Sequence, residues 1–402
     1  TYKVINGSPY VCLFCRGEDG EAFVTVHSFK PYFFIREKDV KKAERVENFA
    51  HERITLKTFD EEPVVKILVE IPGDVPPLRR ALEEESIHTY EADIIFPRRF
   101  LIDHQIQGYV AVEGDYEFQE GLKIYREPDL LPLSFADIPL TIMSIDIETD
   151  PHAKKIYSIA VECGSYKKSL LVSQEKLKDA ETFDTEEAVL ERFFSLVKEL
   201  DPDIITGWNV IDFDFAVIKK RCKRFEIPFV LGREEKESKL VLRKNFFDKS
   251  KVVADGRLVI DLLDWVRAAV KLDDYRLETA AQHYLQEGKI KLQNIIVDIE
   301  RYFKEEPQKL VDYNLKDAVL VLRILEKSAL LSLYVRRSAL TGLMIDEVRG
   351  SIASLDSIYL RRLRKKGYVA PSVKYAVKEE SITGGYVMES KPGIYENILV
   401  LD

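Results

Sequence analysis

The stretch from Leu140 to Phe225 constrains the fold most strongly, because short apolar runs alternate there with amphipathic ones. The pattern predicts strands at 140–145, 156–161, 169–172 and 203–206, and helices from about 184 and at 213–225. Asp184 and Glu187 have the spacing of a capping box at the start of the first helix. Three strands, a helix, a strand and a helix predict an α/β domain built on a central sheet.

The residues before this stretch predict a separate, mostly β domain. Short β-branched or aromatic runs occur at 10–14, 22–26, 32–35 and 64–69, and helical patterns occur at 39–50 and 76–86. The proline-flanked segment 128–139 predicts a linker. A long helical pattern at 310–331 continues into a basic helical region that ends at Lys366. A chain of 402 residues is long enough for two or three domains.

Asp146 and Glu148 directly follow the apolar run at 140–145. Side chains two positions apart on a strand point to the same side, so the two carboxylates project together from the end of a buried strand. Such a pair is unfavourable unless a cation offsets the repulsion. An Asp-x-Glu after a strand is also common in ordinary turns, and it becomes a candidate site only when further acids join it.

Two later segments supply those acids. Asp214 begins the helix at 213–225, and Tyr313 and Asp317 are four positions apart, on one face of a helix. Mg²⁺ prefers oxygen ligands, and two such ions can activate water and stabilise the leaving oxygen of a phosphodiester. Asp146, Glu148, Asp214 and Asp317, with Tyr313 to orient water, therefore predict a site for two Mg²⁺ ions, with Mn²⁺ as a possible substitute.

Composition and charge limit the remaining classes. No apolar run approaches the length of about 18 residues that a membrane span needs, and no secretion signal is recognisable. Four cysteines in 402 residues indicate a reducing, cytoplasmic setting. Cys12 and Cys15 form a CxxC, but they lie in a strand-like run without a second pair, which favours strand packing over a metal or redox role. The net charge of −9 counts mildly against a nucleic-acid binder, although a local basic groove suffices for binding.

The three acidic segments resemble the three exonuclease motifs of family B DNA polymerases. The matching segments are Asp146-Ile-Glu148, Asn209-Val-Ile-Asp-Phe-Asp214 and Tyr313-Asn-Leu-Lys-Asp317. Further likeness lies at 90–101, 256–261, 275–278, 384–386 and 392–402, so the resemblance spans essentially the whole chain. It combines features of archaeal members with features of bacterial members of the polymerase II type.

The resemblance implies an α/β, multidomain fold with a ribonuclease H-like nuclease domain. We expect an N-terminal domain at 1–133, a 3′→5′ exonuclease domain at 134–328, a helical return to the N-terminal domain at 329–371 and the start of a palm domain at 372–402. The implied function is proofreading in DNA replication or repair, by hydrolysis of the 3′-terminal phosphodiester with release of nucleoside monophosphates. The implied partner is DNA, and the fragment is expected to be a monomer.

The resemblance also assigns roles to individual residues. Asp146 would bridge both metals, Glu148 and Asp317 would complete the tighter site, and Asp214 would hold the second metal through water. Tyr313 would orient the attacking water. Asn209 and Phe213 would line the channel for single-stranded DNA, where aromatic stacking helps to bind unpaired bases.

Two departures from the family pattern affect the C-terminal segment. Ile382 stands where the family often has a tyrosine before its Gly-Gly turn, which puts a role in primer switching in doubt. Asp402 matches the first metal-binding aspartate of the polymerase site. The chain therefore reads as a fragment in which the fingers, the thumb and the rest of the palm are missing. Polymerisation, and the sliding-clamp contacts expected at a distant C-terminus, would require those parts.

Two features leave alternatives open. Archaeal relatives have a pocket for template uracil, whose matching positions here are Tyr2, Pro31, Tyr32, Pro72, Val75, Pro76 and Arg79. These residues equally suit structural roles as loop prolines and strand aromatics. The basic stretch from Arg336 to Lys366 reads either as a solvated helix face or as a surface that contacts DNA phosphates. The alternative function is therefore a catalytically silent DNA-binding module that senses uracil or docks a partner.

Overall fold

The computed structural model describes residues 1–119, 121–243, 249–290, 295–373, 391–396 and 398. The Gly-Gly turn at 384–385, Ile382 and Asp402 lie outside these residues, as does most of the strand predicted at 394–402. Across the described part, none of the helices combines the length and the apolar character that crossing a bilayer requires.

The N-terminal part is mostly β, as the sequence predicts. Its strands are β1 Tyr2–Ile5, β2 Ser8–Arg16, β3 Ala22–Ser28, β4 Tyr32–Arg36, β5 Ala50–Lys57, β6 Pro63–Leu68, β7 Thr89–Tyr90, β8 Tyr109–Glu113, β9 Tyr116–Gln119, β10 Leu122–Arg126 and β11 Asp129–Leu133. Its α-helices are α1 Val40–Ala43, α2 Val75–Glu84 and α3 Phe96–Asp103. The strands form sheets of order β1-β2-β3-β10-β9, β5-β6-β4-β7 and β11-β8.

Two predictions in this part were wrong. The helix expected at 39–50 is a single 3₁₀ turn, Glu37–Asp39, followed by the short α1, because the chain then turns and enters β5 at Ala50 to pair with β6. The linker expected at 128–139 contains β11, which pairs antiparallel with β8. The linker was predicted from the flanking prolines at 128 and 139, but the residues between them include this strand. Pro132 fits within β11 because a two-stranded sheet offers edge positions where the missing N–H of proline is tolerated.

Cys12 and Cys15 both lie on β2, opposite Val26 and Phe23 of β3. Both are free thiols. Burial raises the pKa of the Cys15 thiol to about 12, which disfavours the thiolate that metal binding or redox chemistry needs. The sulfur atoms therefore serve the packing of the strand.

The second part is a mixed sheet with helices against it. Its strands are β12 Ile142–Thr149, β13 Ile156–Cys163, β14 Tyr166–Val172, β15 Ala180–Phe183, β16 Ile204–Gly207, β17 Lys239–Val241, β18 Lys251–Val253 and β19 Leu258–Asp261. Its helices are α4 Glu186–Leu200, α5 Asp214–Phe225, α6 Leu262–Ala269, α7 Leu277–Leu285, α8 Ile295–Glu305 and α9 Pro307–Ser328. The main sheet has the order β15-β14-β13-β12-β16-β19, in which β12, β16 and β19 run parallel.

Apolar residues on one side of β12 and β13 pack against α4 and α5 and form the largest buried core. The sequence pattern missed β15, which pairs parallel with β14 and brings the chain into α4. The cap of α4 is also one residue later than predicted: the Thr185 side chain accepts a hydrogen bond from the Ala188 N–H. Threonine is as suitable a cap as aspartate, so spacing alone did not separate the two.

The chain then returns to the N-terminal part through α10 Leu330–Thr341 and α11 Ser351–Lys365. Arg361 is buried and donates to the carbonyl oxygens of Leu101 and Ile106. Arg364 donates to the buried Glu91 carboxylate at 2.9 Å. Two of the basic residues at 336–366 are thus structural, a role that neither interpretation of the stretch included. Arg362, Lys365 and Lys366 are exposed.

Candidate active site

The end of β12 delivers two of the predicted acids. Asp146 and Glu148 lie on the side of the sheet that α9 covers, where one carboxylate oxygen of each lies within 4.8 Å of the other and of an oxygen of Asp317. The alternation of side chains along the strand explains why the two acids appear together, since Ile145 and Ile147 point into the opposite core.

The helix α9 delivers the third acid together with Tyr313. Tyr313 and Asp317 are both buried, and their spacing of one helical turn places them on the face that packs against β12 and β13. The neighbouring Asn314 donates from Nδ2 to the Asp146 carbonyl oxygen at 3.1 Å and to Asp146 Oδ2 at 2.8 Å. Asn314 of α9 therefore holds the acidic end of β12 by two hydrogen bonds.

Asp214 reaches the same strand from the first turn of α5. Its Oδ1 accepts a hydrogen bond from the Ile147 N–H at 3.1 Å, between the two acids of β12. Burial and then the nearby Asp146 raise the pKa of Asp214. Asp214 lies beside the three clustered carboxylates but outside the group whose oxygens are all within 4.8 Å.

Burial and mutual repulsion dominate the electrostatics of the cluster. Burial and then Asp317 raise the pKa of Asp146 to about 7, and burial and then Asp146 raise the pKa of Glu148. Burial also raises the pKa of Asp317, although Lys289 opposes this shift. A site in which several acids resist ionisation favours a bound cation, because the cation offsets both effects.

Lys289 is a cation that the sequence analysis missed. Its ammonium group contacts Asp317 Oδ2 and lies 5.1 Å from the centroid of the Tyr313 ring. Burial lowers the pKa of Lys289, but Asp317, Tyr313 and Asp146 together raise it above its ordinary value, so the side chain is charged. The position of Lys289, 24 residues before Tyr313 in a loop after α7, provides no spacing that links it to the acids.

The donor set fits a divalent metal ion. The second oxygen of Asp317, Oδ1, is buried and has no hydrogen-bond partner among the described residues. An unpartnered buried carboxylate oxygen costs free energy unless a cation or water reaches it. Together with the oxygens of Asp146 and Glu148, it supplies the hard ligands that Mg²⁺ prefers.

The two residues predicted to line the DNA channel lie at the junction of β16 and α5. Phe213 is 41% exposed, which leaves its ring open to a ligand. Asn209 adopts a left-handed backbone conformation (φ 62°), and its N–H donates to Asp261 Oδ1 at 3.0 Å. Asp261 also accepts from the N–H groups of Ile211 and Leu263, so it fixes this turn.

The seven residues of the predicted uracil pocket lie on three elements of the N-terminal part. Tyr2 is on β1, Pro31 and Tyr32 are at the start of β4, and Pro72, Val75, Pro76 and Arg79 are at the start of α2. Phe29 and Phe96 connect Tyr2 to Tyr32 through edge and tilted ring contacts at 5.5 to 6.2 Å.

Two of these seven side chains already have partners. The Tyr32 hydroxyl donates to the Asp103 carboxylate, and Arg79 pairs with Glu83 at 2.7 Å and donates to the Val373 carbonyl oxygen. The ring contacts join Tyr2 to Tyr32, and Val75 of α2 packs against the buried cluster that contains Phe33 of β4.

Comparison with known proteins relates the part of the chain that carries Asp146, Glu148 and Asp214 to a family. Residues 87–280 match the family model described as the exonuclease domain of DNA polymerase family B. DNA polymerase II of Escherichia coli (strain K12) is 32% identical over 96% of this chain and 50% of that protein. The DNA polymerase of Thermococcus gorgonarius is 27% identical over 100% of this chain and 52% of that protein.

A solved structure extends the likeness to the fold. The family B DNA polymerase from the hyperthermophilic archaeon Pyrobaculum calidifontis superposes with a TM-score of 0.76 at 23% identity, over 98% of this chain and 53% of that chain. The chain spans about half the length of these relatives. The match supports the expected α/β fold with its ribonuclease H-like exonuclease domain. Residues 87–280 are therefore an exonuclease domain of DNA polymerase family B, in a chain that is similar over almost its whole length to DNA polymerase II.

Proposed function

We propose that this chain removes nucleotides from the 3′ end of DNA by metal-assisted hydrolysis, as the proofreading part of a family B DNA polymerase. The observation that carries the proposal is the group of three carboxylates within 4.8 Å, one of which, Asp317, has a buried oxygen without a hydrogen-bond partner among the described residues. The other two, Asp146 and Glu148, lie in the region that matches the family's exonuclease domain. The 3′→5′ direction and the release of nucleoside monophosphates come from the family resemblance.

The acids at the end of β12 and on α9 would hold the metal. Asp146, Glu148 and Asp317 offer a shared set of oxygens, and Asp214, which lies beside them, would hold a second ion through water. Two bound Mg²⁺ ions, or Mn²⁺ in their place, would supply an activated water and stabilise the leaving oxygen.

The remaining residues of the site would bind and orient the reactants. Tyr313 projects its phenol from the same helical face as Asp317, and burial raises its pKa, so the hydroxyl keeps its proton and can orient the attacking water. Lys289 places a positive charge beside Asp317, where it also lowers the repulsion felt by a DNA phosphate. The exposed Phe213 ring would stack on an unpaired base near the 3′ end.

The domain assignment is part of this proposal. Residues 1–133 would form the N-terminal domain, 134–328 the exonuclease domain, 329–371 the helical return and 372–402 the start of the palm. Contacts of Arg361 and Arg364 with the N-terminal part support the return. Polymerisation at a site that includes Asp402, contact with a sliding clamp and capture of template uracil would be activities of the whole polymerase.

Digestion of a 5′-labelled single-stranded oligonucleotide tests the proposal. We expect a ladder that shortens from the 3′ end with Mg²⁺ and not with EDTA, and no ladder for the double variant Asp146→Ala, Glu148→Ala. Retained digestion by the folded double variant would exclude this site. Metal-independent DNA binding without digestion by the wild-type chain would instead favour the silent binding module.

A further inference from the structure

We propose that Asn314, together with Ser158 and Ser169, is a positioning group that fixes the Asp146 carboxylate for metal binding. This inference rests on the proposed function. Asn314 is fully buried on α9, and its side chain touches three strands of the sheet: Asp146 on β12, Ser158 on β13 and Ser169 on β14. The family motif at 313–317 assigns roles to its tyrosine and its aspartate, and Asn314 stands between them without one.

The hydrogen bonds of Asn314 use both ends of its amide. Its Nδ2 donates to the Asp146 carbonyl oxygen at 3.1 Å and to Asp146 Oδ2 at 2.8 Å. Its Oδ1 accepts from the Ser158 hydroxyl at 2.8 Å and from the Ser169 hydroxyl at 3.2 Å. Both serines are fully buried, so water does not compete for these bonds. All the polar atoms of the Asn314 side chain are therefore satisfied.

The chemistry of the partners determines which way the amide points. The Asp146 carbonyl oxygen can only accept a hydrogen bond, and the carboxylate beside it can likewise only accept once it is ionised to bind a metal. The NH₂ group must face Asp146, which leaves Oδ1 facing the two serine hydroxyls. Each hydroxyl can donate, so the serines stabilise the orientation that Asp146 requires.

This arrangement restrains the rotation of the Asp146 side chain. One NH₂ group bridges the main-chain oxygen and the carboxylate of the same residue, so a change of rotamer breaks a buried hydrogen bond. Carboxylates that ligate metals are commonly held by such partners, and loss of a partner weakens metal binding by roughly 10- to 100-fold. The two serines would act on Asp146 indirectly, because their hydroxyls hold the Asn314 amide in the orientation that Asp146 requires.

Three variants separate this role from a purely structural one. Asn314→Leu removes both sets of hydrogen bonds. Asn314→Asp keeps the acceptors for the serines but turns a carboxylate oxygen towards Asp146. Ser158→Ala with Ser169→Ala leaves Asn314 in place and removes the donors that orient it, and it is the mildest change if Asn314→Leu fails to fold. Ser144→Ala is the matched control, since Ser144 is a fully buried hydroxyl on β12, two residues before Asp146, without a hydrogen-bond partner among the described residues.

The measurements are Mn²⁺ affinity by isothermal titration, kcat and KM for digestion of a single-stranded oligonucleotide, and thermal unfolding in EDTA. We expect Asn314→Leu and Asn314→Asp to bind Mn²⁺ roughly 10- to 100-fold more weakly, the serine double variant about tenfold more weakly and Ser144→Ala like the wild type. We expect kcat to fall while KM for DNA stays constant, because DNA contacts are unchanged.

The outcomes keep the two proposals apart. Variants with wild-type Mn²⁺ affinity and a lowered unfolding temperature would overturn the positioning role and leave the nuclease proposal intact. A wild-type chain that binds Mn²⁺ without digesting DNA, with variants that lose Mn²⁺, would support positioning and overturn the nuclease. A wild-type chain that binds no Mn²⁺ would overturn both.

Discussion

The ammonium group of Lys289 contacts Asp317 directly, beside the point where the carboxylates of Asp146 and Glu148 converge. The Asp317 side chain is only 4% exposed, so this pair is shielded from water on its acidic side. A cluster of one buried acid and two half-buried acids thus has a positive charge beside it in the metal-free protein. This charge lowers the repulsion among the acids and marks the side of the cluster at which a DNA phosphate is expected.

Replacing Lys289 tests this relationship. We expect Lys289→Met to lower the free energy of unfolding of the metal-free protein by about 3 kcal/mol, because Asp317 then loses its partner in a buried position. We also expect slower digestion at saturating Mg²⁺. Chemical denaturation in EDTA and a single-turnover digestion assay measure the two effects.

Lys316→Gln is the control for this variant. Lys316 is the neighbour of Asp317 in sequence but pairs with Glu287, a carboxylate exposed to solvent, and surface pairs of this kind contribute little. Equal losses of stability in the two lysine variants would contradict a special role for the Lys289 pair.

Asp146→Asn tests the electrostatics of the cluster through pH. The pKa of Asp146 is about 7 in the folded chain, above its ordinary value, so the folded state binds this proton more tightly than the unfolded state does. The free energy of unfolding of the metal-free protein should therefore fall as pH rises from about 4 to about 7. Asn does not ionise, so the variant should be more stable than the wild type at pH 8, by a few kcal/mol in order of magnitude, and similar to it near pH 4.

Thermal unfolding in EDTA between pH 4 and pH 8 measures this difference. Asp150→Asn is a control for which we expect a change in stability of the opposite sign. Burial tends to raise the pKa of Asp150, but backbone N–H groups of Lys155 and Lys154 outweigh it and lower the pKa. Its substitution should destabilise the protein at neutral pH. A pH-independent effect of Asp146→Asn would contradict the repulsion described here.

Variants of Arg364 and Arg362 test which charges in the basic stretch contribute to the stability of the fold. Arg364→Met should lower the free energy of unfolding by about 2 kcal/mol, because the buried Glu91 loses a charged hydrogen bond. Arg362→Met should change it by less than about 0.5 kcal/mol, since Arg362 is exposed. Denaturant titrations of both variants measure this, and similar losses would contradict the assignment.

The exposed charges of the same helix can be tested through salt. Replacing Arg362, Lys365 and Lys366 by Gln should weaken DNA binding and flatten its salt dependence if these side chains contact phosphates. An unchanged salt dependence would identify them as a solvated helix face.

Val75→Gln tests the proposed uracil pocket. Val75 is half-buried at the start of α2, packed against the core under β4 and β6, and a longer polar side chain would fill the space beside it. We expect a weaker preference for uracil-containing DNA over thymine-containing DNA in competition binding. Asp74→Asn, at an exposed neighbouring position, is the control, and an unchanged preference in Val75→Gln would count against the pocket.

The sequence predicted the acids of the site because each lies on a regular element, where period and spacing relate one side chain to another. An apolar strand places Asp146 and Glu148 together, and a helical spacing places Tyr313 on the face of Asp317. The sequence did not predict Lys289, because this residue lies on a loop, where no periodicity relates one side chain to another. The sequence also did not predict the partners of Asn314. Ser158 and Ser169 come close to that residue only because β13 pairs with β12 and β14.

The errors in the N-terminal part have a related cause. The pattern at 39–50 is amphipathic enough for a helix. The helix nevertheless ends early, and from Ala50 the chain forms β5, which is stabilised by backbone hydrogen bonds to β6. The flanking prolines at 128 and 139 indicated a linker, yet residues 129–133 form a strand of a two-stranded sheet. In both places a partner strand outside the short window decided the conformation, and propensity within that window does not report such partners.

The return of the chain to its own beginning has a consequence for synthesis. β-Bridges join Lys57 to Tyr368 and Tyr90 to Pro371, and Glu91 accepts a hydrogen bond from Arg364, which lies 273 positions later in the chain. At about 5–20 residues per second, a ribosome needs roughly 14 to 55 s to deliver Arg364 after Glu91 has emerged. During that interval the Glu91 carboxylate lacks this partner and the edges of β5 and β7 are uncovered. The main sheet of the second part, whose strands lie between residues 142 and 261, can form meanwhile, so the N-terminal part is translated before that sheet and completed after it.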